Sequence, residues 1–217
     1  GFSPPYSIVL VSIEGLRPDH LGFFGYERET TEALDDLAAE SIVFPRAYAV
    51  SSVMQMSLAS LLSGRFPSEL KREPAYYPSF DSINVFLAEV LSAAGYHTAG
   101  FPSHWYFGGN SGLQQGFSIW RPYFVEKGRM KIVPTAETVI TSAVEHLSRL
   151  EPDPRRPFFM WLHVLDPLPD YLDHLDVPTF GLGTAPTDRY DHEVCYVDRW
   201  LKWFVDTLRQ REDWKRT

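Results

Sequence analysis

With 217 residues, 44% of them hydrophobic and 22% charged, the chain is long enough to bury one sizeable core and too apolar for wholesale disorder. A net charge of −8 argues against a nucleic-acid partner, and no run of about twenty apolar residues is present to span a membrane. The single cysteine, Cys195, excludes an intrachain disulfide, and a start at Gly1 without a leader pattern reads as a piece of a longer or processed protein.

In chain order, the β-branched run Ser7 to Ile13 predicts a strand buried on both faces. Thr31 is placed to cap a helix through Ala39, with Leu34, Leu37 and Ala38 at helical spacing. The short apolar segment Ile42-Val43-Phe44 follows, then a helix over Met56 to Leu62. Ser82 to Ala94 reads as an amphipathic helix burying Ile83, Phe86, Leu87, Val90 and Leu91, stopped by Gly95. Thr98 to Phe101 is a short strand, and Thr135 to Leu150 a helix with Val139, Ile140, Ala143, Val144 and Leu147 on one face. Pro154 and Pro157 break the chain before a second apolar strand, Phe158 to Leu165. The last helix runs from Thr187 to Gln210, with Val194, Val197, Leu201, Phe204, Val205 and Leu208 facing inward.

Strands alternating with helices predict an α/β fold: a largely parallel sheet flanked by helices on both faces. Ligands of such sheets bind beyond the carboxyl ends of the strands. The turn after Ile13 and the loops Tyr106 to Ile132 and Pro167 to Pro186 are expected at that end.

Several ordered segments then carry a resemblance. Ser12 to Gly22 is similar to the opening strand and metal turn of the sulfatase family, within the alkaline-phosphatase superfamily. Gly25-Tyr26 with Thr30 to Asp35 resembles the family's GY…TTPNLD segment, and Ala47 to Gly64 its nucleophile helix, (C/S/T)-x-P-S-(R/H)-A-S-L-L-T-G. Gly95 to Ala99, Gly112 to Phe117, Pro157 to Pro167 and Tyr190 to Asp198 match later segments. The resemblance implies one sulfatase-like domain over residues 1–217, with the C-terminal part of that domain missing. The family's second metal segment, S-D-H-G, falls beyond Thr217.

The family's chemistry needs a divalent cation, a nucleophile and cations around the ester. At its metal position stands Glu14, either a displaced ligand or the partner of Arg17 in an ion pair, with the ion pair favoured. At the nucleophile position stands Met54, whose thioether has no proton to lose. The flanking proline is Met56, and the arginine or histidine is Leu58. Ser51, Ser52 and Ser57 lie out of register with the nucleophile. In the G-K-W-H-L-G segment, His104 replaces the lysine and Tyr106 the histidine, while Leu168 takes the histidine position of D-P-H-x-P-Y.

Asp170, Asp173, His174 and Asp176 read either as a solvated acidic loop, which is favoured, or as metal ligands. His163 reads as a hydrogen-bonded core histidine, and Asp19 and His20 as structural. The expectation is therefore a pseudoenzyme without a cofactor, working through a protein partner or further domains of a longer chain. Its rival is an active metal-dependent ester hydrolase completed by residues beyond Thr217, using calcium or magnesium rather than zinc. An extracytoplasmic or membrane-associated location is implied by resemblance alone.

Overall fold

The computed structural model describes residues 5–124, 135–153, 155–169 and 171–217. Strands β1 (Ile8–Ile13), β2 (His97–Pro102), β3 (Ile119–Trp120) and β4 (Phe158–Val164) form one parallel sheet in the order β1-β4-β2-β3. Helices α1 (Glu32–Ala39), α2 (Met54–Ser63), α3 (Leu87–Ala93), α4 (Ala136–Ser148) and α5 (Pro186–Arg209) surround it.

β4 is the axis of the packing. Every residue of it is buried, and its side chains alternate between two apolar layers. Phe158, Met160, Leu162 and Val164 join Val139, Ile140 and Leu147 of α4 and Val197, Leu201 and Phe204 of α5. Phe159 and Trp161 face the opposite way, toward Leu58 and Leu62 of α2, Ala88 of α3, and Phe107. The predicted parallel sheet with helices on both faces is present. The predicted fully apolar strand is also present, ending at Val164.

β1 differs from its prediction. It pairs with β4 on one side, and Val9 to Ile13 are half-buried because no strand among the described residues covers its other edge. The helix expected from Ser82 starts only at Leu87. Asp81 and Asn84 capture the backbone first: Ile83 N–H donates to Asp81 Oδ1 at 2.8 Å, and Asn84 bonds both polar groups of Lys71. Ile83 and Val90, expected inside, are therefore 71% and 54% exposed. Ile42-Val43-Phe44 forms no strand and lies exposed.

β3, only two residues long, carries no readable period. It depends on Gly100, where an added Cβ would sit 2.7 Å from the Trp120 ring. Pro154, Asp170 and residues 125–132 of the aromatic loop lie outside the described residues.

Helix α5 buries acids as well as apolar side chains. Asp191, fully enclosed, accepts from His20 Nδ1 (2.6 Å), Tyr26 Oη (2.7 Å) and Arg28 Nη1 (2.6 Å). Asp198 accepts from the N–H groups of Ala33 and Leu34, at 2.9 and 2.8 Å. Asp198 thus does the capping expected of Thr31, whose hydroxyl instead meets Gly22 N–H and Asp35.

Candidate functional site

Parallel strands end on one side of a sheet, and the sequence-marked positions Glu14, His104 and Leu168 come to that side. Glu14 follows β1 directly, and its N–H continues the ladder by donating to Val164 O at 2.9 Å. Gly15 turns the chain at φ +67°, and a Cβ there would meet Leu168 Cδ2 and Pro167 O at 3.0 Å each. Leu168 thus packs on the turn beside Glu14.

Burial raises the Glu14 carboxyl above its ordinary pKa. The nearest His163 atom, Nε2, lies 4.0 Å from its Oε2, too far for a hydrogen bond. The Glu14–Arg17 ion pair is not formed. Arg17 N–H donates to Tyr190 Oη (2.8 Å), which donates to Gly15 O (2.9 Å), and the guanidinium turns outward to Asp19 at 2.6 Å. Asp19 and His20, paired with Arg17 and Asp191, hold structure as expected.

His163 is a core histidine, with Nδ1 2.9 Å from Ser12 Oγ. Its Nε2 has no hydrogen-bond partner and faces the Glu14 side. Burial lowers its pKa to about 3, so the ring is neutral.

His104 adopts φ +143°, a backbone conformation rarely held by a side-chain-bearing residue. Its Nδ1 accepts from Tyr106 N–H at 3.1 Å, its ring stacks with Tyr77, and burial lowers its pKa. A neutral, aromatic-packed imidazole is a weak anion contact. Tyr106 is buried, and its hydroxyl is committed to Pro78 O at 2.6 Å.

Met54 is the first residue of α2, two residues earlier than predicted, behind an extended Val53 whose N–H is taken by Ser51 Oγ. Met54 and Met56 pack on the layer that contains buried Leu58. Ser57 faces elsewhere, into an open groove of about 490 Å³ shared with Tyr48, Val50, Leu61 and Phe66.

For a divalent cation at Glu14, the donors are few. Glu14 belongs to no group of three or more His, Cys, Asp or Glu ligand atoms among the described residues. One carboxylate beside a neutral imidazole and a leucine does not fit an oxygen-rich calcium or magnesium shell.

A group of three does form elsewhere. Asp166, His174 and Glu193 each bring a ligand atom within 4.8 Å of the others. Burial, with the charge of Glu193 adding to it, pushes the Asp166 carboxyl up to about 7. The sequence places His174 in one acidic loop with Asp170, Asp173 and Asp176. Instead it turns inward, while Asp176 pairs with Arg199 at 3.5 Å and Asp173 stays exposed. Asp166 and Glu193 went unrecognised because they lie 27 positions apart and meet only through the fold; the one local signal was the density of acids within the apolar period of α5.

The sulfatase family model matches residues 7–217. Bovine arylsulfatase A is 37% identical over 111 residues, which is 49% of this chain and 22% of that protein. A crystal structure of an alkaline-phosphatase-superfamily protein from Vibrio parahaemolyticus superposes with a TM-score of 0.72 at 20% identity, over 98% of this chain and 52% of that one. The structure of Ps i-CgsB, solved with a neocarrahexaose, gives 0.81 at 18% identity, over 98% and 57%. The chain thus spans about half the length of these solved structures and under a quarter of arylsulfatase A.

Proposed function

Since the chain belongs to the sulfatase family, we propose that it is one sulfatase-like α/β domain, catalytically inactive and kept for binding or for assembly with further polypeptide. The observation that carries this reading is Met54 at the first turn of α2, where the family's chemistry requires a hydroxyl, thiol or formylglycine. Its surroundings agree. Leu58 is buried, Leu168 packs on Gly15, His104 is held neutral, and Glu14 stands without a second carboxylate in a ligand group. The open groove beside α2, lined by Tyr48, Val50, Leu61 and Phe66, suits an apolar or protein contact better than a sulfate ester.

The test is hydrolysis of aryl sulfate and aryl phosphate, with and without calcium, magnesium, manganese or zinc. Rates should stay at the uncatalysed background. Metal-dependent turnover that disappears in Glu14→Ala overturns the reading.

The rival, an active metal-dependent ester hydrolase, draws support from one observation: about half of each matched solved structure lies outside this chain's span. Further polypeptide would then supply ligands around Glu14, and the same assay on the longer protein separates the two. An extracytoplasmic setting is part of this proposal through the family alone; no described helix is long and apolar enough to cross a membrane.

A further inference from the structure

Among the described residues, Asp166, His174 and Glu193 are the one group of metal-ligand side chains that the fold brings to a common point. Asp166 lies two residues past β4, Glu193 lies in α5, and His174 comes from the loop between them. Each carboxylate spends one oxygen on a backbone donor. Asp166 Oδ2 accepts Ala136 N–H at 2.7 Å, at the start of α4, and Glu193 Oε1 accepts Leu172 N–H. Those bonds orient the second oxygens.

The His174 ring is equally fixed. It stacks on Tyr196 at 3.5 Å with 7° between planes, and lies 5.6 Å from the His192 ring. Its backbone N–H donates to His192 Nε2 at 2.8 Å, and His192 Nδ1–H donates to Pro178 O. These contacts fix the backbone and the ring plane of His174.

A second, independent observation points to a ligand. Glu193 is 2% exposed, yet its Oε2 has no hydrogen-bond partner, and neither has His174 Nε2, which faces it at 3.4 Å. Buried polar atoms of native proteins are nearly always satisfied, and these two have only each other, in ion-pair range but without hydrogen-bond geometry; a cation between them and the Asp166 carboxylate would satisfy both.

We propose that Asp166, His174 and Glu193 form a divalent-cation site, selective for zinc with water completing its shell, that pins the loop after β4 to helix α5. One imidazole and two carboxylates suit a borderline metal with few ligands, whereas calcium and magnesium favour six or more oxygens. The site stands whether or not the chain hydrolyses esters.

The experiment strips the protein with a chelator and reloads it from zinc, calcium or magnesium chloride. Bound metal is counted by elemental analysis, and thermal unfolding is followed in parallel. One zinc per chain is expected, with a rise in midpoint of roughly 5–11 °C at a hundredfold excess over Kd, and no rise with calcium or magnesium. Glu193→Gln should abolish binding. Because that buried change can impair folding, His174→Phe serves as the second variant: it keeps the ring on Tyr196 but removes the ligand. It should leave the metal-free midpoint within about 2 °C of the parent and lose the zinc response. Equal zinc uptake by the parent and His174→Phe, uptake well below one per chain, or stabilisation by calcium in place of zinc overturns the proposal.

Discussion

Asp191 shows how strongly one residue ties this chain together. Three donors from the segment between His20 and Arg28 converge on its buried carboxylate, and Asp188 adds a second contact to Arg28 at 2.9 Å. Removing the carboxylate leaves the part-buried His20 and Tyr26 donors without their acceptor, a cost of about 1–3 kcal/mol. Asp191→Ala should lose that much in urea unfolding, and Asp191→Asn, which keeps an acceptor, clearly less; equal losses would mean that a neutral acceptor recovers nothing there and the charge carries the whole effect. None of this was legible beforehand. His20 was recognised as structural, but its partner lies 171 positions away, and periodicity says nothing about which buried acid meets which base.

Among the elements, β2 and α4 meet through two imidazoles, His97 and His146, whose Nε2 atoms lie 2.8 Å apart. One ring must accept while the other donates, so the contact exists only when at least one is neutral. Burial, then the charges of His97, Arg121 and Arg149, lower the His146 pKa to about 4, and His97 is lowered too. The folded value lies below the unfolded one, so the contribution is present above pH 6.5 and is lost as pH falls toward 4. Urea midpoints measured across that window should fall on acidification, and less steeply in His146→Gln. An unchanged slope in the variant would remove the pair from the account.

The helices and central strands were readable because burial imposes a period on them: α4, α5 and β4 sit within a few residues of expectation. The start of α3 failed because the polar side chains Asp81 and Asn84 outcompeted helical spacing. Glu14 and Leu168 do meet at the carboxyl ends of the strands and Met54 opens α2, while their part in a site belongs to the proposal. The inward turn of His174 toward Asp166 and Glu193 was not legible, since it depends on a loop clamped to α5 through His192.

At the scale of the whole molecule, two of the apolar surfaces left open among the described residues bear on association. One is the edge of β1, where Ile8 is 36% exposed; the other is the segment carrying Ile42, Phe44 and Tyr48, at 82%, 72% and 85%. Open edges and contiguous apolar patches invite association. The 217-residue chain should therefore scatter light as more than one copy at micromolar concentration, and Ile8→Lys should shift it toward the monomer. A monodisperse monomer that unfolds cooperatively would show that these surfaces are self-sufficient.

The position of β4 between β1 and β2 also sets a timetable. Ser12 pairs in register with His163, 151 residues later, and β2 likewise has no partner on that side until β4 arrives. A ribosome adding roughly 5–20 residues per second takes about 8–30 seconds to make that stretch. For most of that interval β1 lacks the partner it has among the described residues, so the β1-β4-β2 part of the sheet closes only once Phe158 to Val164 is available.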